Sequence, residues 1–137
     1  MLKTVVDANV FISALLNPGK PEEMVRRWLL GKFHLLYPQK LIEELRRAPY
    51  KRRLVGKLLP ADVDYLISMI ERRGVLVEQL GVIPTVCKDA ADNFYLACAA
   101  VAGADYLVTG DGGILRVENY LSTKIVNAAQ FLTALSG

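Results

Sequence analysis

The feature that most constrains the fold is a short valine-rich segment near the start of the chain, residues 4–6, which ends at Asp7. An apolar run of this length is typical of a buried strand in a parallel sheet. Polar residues that follow such a strand project into the crevice where open α/β sheets bind ligands. Asp7 therefore occupies the position where a functional side chain is most expected, although an aspartate after a strand also commonly caps the next helix.

The rest of the chain alternates short apolar strands with helices. Further strands are predicted at residues 33–37, 75–78, 104–109 and 124–126. Helices are predicted at residues 10–16, 21–30, 39–47, 60–73, 94–102 and from 127 onward, with a loop at 79–88 and a turn at 110–113. This alternation predicts an α/β fold in which helices cover both faces of a mostly parallel sheet of about five strands.

Composition narrows the class of protein. The 137 residues, 53% of them hydrophobic, suit a single domain over residues 1–137 with a substantial core. A net charge of +3 is compatible with a polyanionic partner. The sequence has neither signal-peptide features nor an apolar run long enough for a membrane span, and Cys87 and Cys98 lack zinc-ligand spacing. We expect a cytoplasmic protein with free thiols and no membrane partner.

Four carboxylates stand out from the other acids of the chain. Asp7 and Asp111 each follow a predicted strand, Glu44 lies within an apolar helical stretch, and Asp92 lies in the first turn of an alanine-rich helix. Singly, each has an ordinary interpretation as a helix-terminal charge, a surface residue or a turn former. If the two strands are neighbours, however, Asp7 and Asp111 lie side by side, and packed helices can bring Glu44 and Asp92 to them.

Clustered carboxylates favour metal chemistry. Like charges raise each other's pKa, so several carboxylates stay ionised together only with cations present. Oxygen ligands suit Mg²⁺ or Mn²⁺, which activate water and neutralise phosphodiesters. The pattern therefore predicts metal-dependent phosphodiester hydrolysis with water as the nucleophile.

The densest basic stretch follows Glu44 directly. It is interpreted either as a solvated helix face or as a contact for RNA phosphates. Its members are Arg46, Arg47, Lys51, Arg52, Arg53 and Lys57.

Four segments together resemble one known family. They are VVDANVFISALL at 5–16, LIEELRR at 41–47, KDAADNFYLACAAVAGADYLVTGD at 88–111 and NAAQFLTAL at 127–135. With these segments the sequence resembles the PIN-domain family over essentially its whole length, and in particular the toxin components of prokaryotic toxin–antitoxin systems.

The resemblance implies a three-layer α/β/α fold and a Mg²⁺- or Mn²⁺-dependent ribonuclease. It also implies a homodimer and a small antitoxin protein that blocks the site. The positions that match the family's acidic, metal-binding and catalytic residues are Asp7, Glu44, Asp92 and Asp111. Supporting polar side chains are expected at Asn9, Thr109 and Asn93.

The chain departs from the family pattern at Gly113, where relatives commonly carry another acid. This glycine weakens the case for a second metal ion and leaves two hypotheses. The first is an endoribonuclease in which Asp7, Asp92 and Asp111 hold the metal and Glu44 completes the shell or orients water, with DNA as a substrate not excluded. The alternative is a catalytically weak or silent binding module of the same fold.

Overall fold

A computed structural model describes residues 1–137 as one six-stranded sheet with helices packed around it. The strands are β1 (Lys3–Val6), β2 (His34–Tyr37), β3 (Val75–Leu76), β4 (Tyr106–Val108), β5 (Asn119–Tyr120) and β6 (Thr123–Val126). The helices are α1 (Ala8–Leu16), α2 (Lys20–Leu29), α3 (Gln39–Arg47), α4 (Pro60–Arg73), α5 (Ala90–Ala102), α6 (Gly112–Leu115) and α7 (Ala128–Ser136), with a 3₁₀ turn at Ala48–Tyr50.

The first strand lies inside the sheet, as the sequence predicted. The strand order is β3-β2-β1-β4-β6-β5, and every pairing except that of β5 with β6 is parallel. Val5 pairs with Leu36 on one side and with Leu107 on the other. Because β1 has neighbours on both edges and buried side chains on both faces, its apolar run is continuous rather than alternating.

Aromatic pairs join the helices to the sheet and to each other. The Phe131 ring of α7 lies edge-on to Phe33 at 4.9 Å and to Tyr106 at 5.6 Å between ring centroids. Phe11 of α1 meets Trp28 of α2 at 6.2 Å in the same orientation. These contacts fix α7 against the centre of the sheet and α2 against α1, with the burial of large apolar side chains as the main stabilising term.

Two short elements escaped the sequence analysis. The predicted turn at 110–113 includes the start of α6, because the Asp111 side chain accepts the Gly113 N–H at 2.8 Å and buried Ile114 anchors the helix. Because α6 begins with two glycines, which are poor helix formers, the sequence did not indicate a helix there. Strand β5 carries no apolar alternation and forms only by antiparallel pairing with β6. Strand β3 is also shorter than predicted, and the 79–88 loop contains no strand.

The helices and the thiols supply two further observations. No helix combines the length and apolar character that crossing a membrane requires. Both cysteines are free, and burial raises the pKa of the Cys98 thiol to about 12.

Gly74, at the end of α4, should not tolerate a methyl group. A Cβ there would lie 2.7 Å from the Ile70 carbonyl oxygen and 2.9 Å from Cε1 of Tyr37. We expect Gly74→Ala to lower the free energy of unfolding by about 1–3 kcal/mol, the usual cost of overpacking, in urea denaturation. The matched control is Gly112→Ala, whose Cβ would meet nothing within 4 Å. Equal stability of the two variants would contradict this packing.

Candidate functional site

Parallel pairing of β1 with β4 builds the centre of the candidate site. Val6 pairs with Val108, and the Asp7 N–H donates to the Val108 carbonyl oxygen at 3.1 Å. The residues that follow the two strands, Asp7 and Thr109, therefore lie side by side at the carboxyl edge of the sheet. This arrangement confirms the predicted adjacency of the two strands.

Asp7 is almost fully enclosed, with 2% of its surface exposed. One carboxylate oxygen accepts the Asn9 N–H at 2.6 Å and caps α1, while the other accepts the Thr109 hydroxyl. Burial raises the pKa of Asp7, these hydrogen bonds oppose the rise, and the charge of Glu44 adds to it. Each oxygen keeps a second lone pair, so capping a helix leaves Asp7 able to bind a cation.

Thr109 connects two of the acids. Its side chain is fully buried; the hydroxyl donates to Asp7 and accepts the Asp111 N–H at 3.0 Å. Its own N–H donates to the Val126 carbonyl oxygen of β6 at 3.0 Å. A single threonine thus fixes the Asp7 carboxylate relative to the segment that carries Asp111.

Asp92 and Asp111 form a carboxyl–carboxyl pair. Burial, followed by the hydrogen bond to Asp111 and the charges of Asp111, Asp89 and Asp7, raises the pKa of Asp92 from 3.8 to about 7. Asp92 therefore holds its proton below about pH 7. Capping of α5 falls to Asp89, which accepts the Ala91 N–H at 2.9 Å, so Asp92 is free for another role.

Glu44 reaches the same acids from α3. Its carboxylate is half-buried, accepts the hydroxyl of Tyr95 from α5, and is close enough to raise the pKa of Asp7. Burial and this same carboxylate raise the pKa of Tyr95 well above its ordinary value. The sequence analysis missed Tyr95; its only signal was an aromatic hydroxyl three residues after Asp92, on the same helix face.

The two predicted asparagines have different surroundings. Asn9 is exposed and meets Asp7 through its backbone N–H. The Asn93 side chain binds the backbone of Cys87 twice, accepting its N–H at 2.8 Å and donating to its carbonyl oxygen at 3.0 Å. Asn93 therefore holds the loop before α5 in place and uses its amide there, whereas Asp92 beside it faces the acids.

The donor chemistry of the site suits a hard divalent cation, since every candidate ligand is a carboxylate oxygen. In the present conformation, however, the acids are engaged in pairs: Asp7 with Thr109, Asp92 with Asp111, Glu44 with Tyr95. No group of three or more histidine, cysteine, aspartate or glutamate side chains converges closely enough to hold a metal ion.

A cleft of about 520 Å³ opens beside the acids. It runs from Asp111 between α1 and the starts of α2 and α7, and its polar lining includes Asn9, Ser13, Lys20 and Asn127. A space of this size accepts a nucleotide-sized group next to the carboxylates.

The basic side chains of the stretch that begins in the last turn of α3 are all exposed. The chain's three ion pairs all lie on α2, between Lys20 and Glu23, Arg26 and Glu22, and Arg27 and Glu23. The five basic side chains proposed to contact substrate are therefore exposed and unpaired with any acid of this chain; they are Arg46, Arg47, Lys51, Arg52 and Arg53.

Both the sequence and the fold of this chain are similar to those of known proteins. A family model described as PIN domain matches residues 3–112. A structure of FitAB bound to a DNA fragment matches with a TM-score of 0.58 at 19% identity, over 91% of this chain and 94% of that one. VapBC-1 from nontypeable Haemophilus influenzae matches with a TM-score of 0.58 at 15% identity, over 93% and 99% of the two chains.

A third solved structure has the same fold. VapBC2 from Rickettsia felis, bound to a DNA fragment from the promoter, matches with a TM-score of 0.57 at 10% identity, over 90% of this chain and 98% of that one. No curated protein sequence matches the chain.

The raised pKa of Asp92 predicts how stability depends on pH without metal. Between pH about 4 and about 7 the folded state holds a proton that the unfolded state has lost, so folding is progressively destabilised as pH rises through this window. We expect urea denaturation in chelator to give a lower free energy of unfolding at about pH 8 than at about pH 5, and Asp92→Asn to reduce this difference.

The control is Asp64→Asn, at an exposed acid of α4, which should keep the wild-type pH dependence. A wild-type pH dependence in the Asp92→Asn protein would contradict the assignment of the raised pKa to Asp92.

Proposed function

The chain belongs to the PIN-domain family, whose members are generally nucleases, and from that premise we propose that it is a metal-dependent endoribonuclease. The proposal is supported by the charge effects that link four acids from four separate segments: Glu44 raises the pKa of Asp7, and Asp111 and Asp7 raise the pKa of Asp92. Asp7 follows β1, Asp111 follows β4, and Glu44 and Asp92 come from α3 and α5. Such an arrangement costs electrostatic free energy without a cation, so it favours a role in binding one.

Asp7, Asp92 and Asp111 would hold Mg²⁺ or Mn²⁺, with Glu44 completing the shell or orienting water. A bound ion of this kind lowers the pKa of its water and neutralises the charge of a phosphodiester. The chain's own contribution is positioning. Asp7 is fixed by the Asn9 N–H and the Thr109 hydroxyl, and Asp92, paired with Asp111, would add carboxylate oxygens to the ion's ligands.

The RNA substrate would lie across the acids and along the neighbouring surfaces. The cleft between Asp111 and Lys20 accommodates a nucleotide, and the exposed basic stretch from Arg46 to Arg53 follows Glu44 on the chain. Arg47 lies one helical turn after Glu44 in α3, so it extends the acid site with positive charge. Contacts of this kind with phosphates give binding a steep salt dependence.

The biological setting would be that of a toxin–antitoxin pair. The structures that share this fold include FitAB and two VapBC assemblies, two of them bound to DNA fragments. By analogy we propose a cytoplasmic homodimer whose acid site is blocked by a small antitoxin protein. This analogy rests on fold alone, since the identities lie between 10% and 19%.

A catalytically weak or silent binding module is the second candidate. Two observations favour it: Gly113 contributes no side chain where relatives commonly place an acid, and the carboxylates do not converge into a group of three. The two candidates differ in metal binding and in cleavage, and the following experiments separate them.

Asp7→Asn should abolish metal-dependent RNA cleavage without unfolding the protein. Asparagine still caps a helix, so α1 is retained, but the anionic ligand is lost. Loss of a partner that only orients a ligand costs about 10–100-fold, so we expect more than about 100-fold loss of activity here. The measurement is cleavage of a panel of structured and single-stranded RNAs with Mn²⁺, with Mg²⁺ and with chelator.

Asp105→Asn is the matched control, because Asp105 is exposed and accepts the Lys3 N–H at the opposite end of β4. It should cleave like wild type. Equal cleavage by wild type and Asp7→Asn would identify a contaminating nuclease. Absence of cleavage together with absence of Mn²⁺ binding in calorimetry would favour the silent module.

Gly113→Asp tests whether the missing acid limits metal binding. A Cβ at this position would lie 3.3 Å from an Asp111 carboxylate oxygen, so the new carboxylate would join the Asp92–Asp111 pair after a small adjustment. We expect calorimetry to show roughly tenfold tighter Mn²⁺ binding or a second binding event, because affinity follows ligand charge. Gly113→Asn supplies a side chain of the same size without the charge and should bind like wild type.

A further inference from the structure

Tyr95 is a buried polar side chain that the mechanism above does not use. It lies in α5 with 2% of its surface exposed, and its hydroxyl donates to a Glu44 carboxylate oxygen. We propose that Tyr95 is a positioning residue, whose hydroxyl holds the Glu44 carboxylate in place at the acid site. This inference rests on the proposed function, because it assigns Tyr95 a part in the same metal site.

The burial of the hydroxyl is the first argument. A phenylalanine would fill the same space in the core at no desolvation cost, whereas a buried hydroxyl needs a partner to avoid a penalty of about 1–3 kcal/mol. The Tyr95 hydroxyl bonds one side chain, that of Glu44, to which it donates; its other partner is the backbone N–H of Ala8. Packing in the core therefore accounts for the position of the ring, and the hydrogen bond to Glu44 accounts for the presence of the hydroxyl.

The contrast between two adjacent acids is the second argument. Glu43 and Glu44 are neighbours on α3, but Glu43 is exposed while Glu44 is half-buried and hydrogen-bonded. An unrestrained glutamate loses substantial rotamer freedom when it is fixed, so solvent would be its default position. The Tyr95 hydroxyl offsets that loss and keeps Glu44 close to Asp7, whose pKa it helps to raise.

A second link between α3 and α5 supports the same geometry. The Lys40 ammonium lies 5.2 Å from the centre of the Phe94 ring. Lys40 precedes Glu44 by four residues, and Phe94 precedes Tyr95 by one, so the two links lie one helical turn apart on α3. Together they fix α3 along α5, and with it the distance between Glu44 and Asp92, which lies one turn before Tyr95.

Tyr95→Phe tests the role directly, since it removes the hydroxyl and keeps the ring. We expect Mn²⁺ to bind roughly tenfold more weakly in calorimetry, in the range seen when a partner that orients a metal ligand is removed. Tyr106→Phe is the matched control, because Tyr106 begins β4, at the end of the strand opposite to Asp111, and its ring packs on Phe131; it should leave Mn²⁺ affinity unchanged. Urea denaturation of each variant verifies that it is folded.

A double-mutant cycle separates positioning from a merely structural role. If Tyr95 acts through Glu44, then adding Tyr95→Phe to Glu44→Gln should weaken Mn²⁺ binding no further. A purely structural effect would lower the affinity of both backgrounds by the same factor. Glu44→Asp, which shortens the side chain away from the hydroxyl without touching the core, should also bind Mn²⁺ more weakly than wild type.

The outcomes distinguish a failure of the proposed role of Tyr95 from a failure of the proposed metal site. Unchanged Mn²⁺ affinity in Tyr95→Phe, with wild type binding, overturns the positioning role and leaves the proposed function standing. Equal loss in both backgrounds of the cycle overturns it as well. If wild type binds no Mn²⁺, the proposed metal site falls and the role of Tyr95 falls with it.

Discussion

The site depends on the parallel ladder between β1 and β4. That ladder places Asp7 and Thr109 next to each other, so the threonine hydroxyl can bind a carboxylate that has almost no contact with water. A register shift by one residue would turn Asp7 to the other face of the sheet and separate it from Thr109. Burial of β1 on both faces opposes that shift, because it would bring a charged side chain, Asp7 or Lys3, to a position that Val6 or Thr4 now fills inside the core. The core is therefore what fixes the position of the acid.

The acids at this edge of the sheet repel one another, and either a bound proton or a bound cation lowers the electrostatic free energy of that repulsion. Burial and neighbouring negative charge raise the pKa of both Asp7 and Asp92. Below about pH 7 a proton on Asp92 relieves part of this cost. If these acids bind a divalent ion, as proposed above, binding would release that proton, and metal affinity would rise with pH.

The sequence predicted the parts that follow from local periodicity and from strand-end position. The predicted bounds of α3 and α4 coincide with those observed, and β1 and β4 are neighbours, which links Asp7 to the Asp111 segment through Thr109. The parts it missed depend on tertiary contacts. Strand β5 exists only through its pairing with β6, and Tyr95 became relevant only when α3 brought Glu44 to its hydroxyl. The amide of Asn93 could not be assigned either, since its partner is the backbone of a loop.

Two of the site acids are also helix caps, which explains how the chain holds a cluster of carboxylates in place. Asp7 caps α1 and Asp111 caps α6, so backbone N–H groups partly neutralise them and fix their orientation. In α5 one aspartate caps the helix and another belongs to the candidate site. Asp89 is the cap, and Asp92, inside the first turn, accepts no capping hydrogen bond. Asp92 is accordingly the acid that carries the proton. For Asp7 and Asp111, the interpretation as a helix cap and the interpretation as a site residue are thus not alternatives, because the capping hydrogen bond fixes the orientation of the carboxylate and leaves lone pairs free.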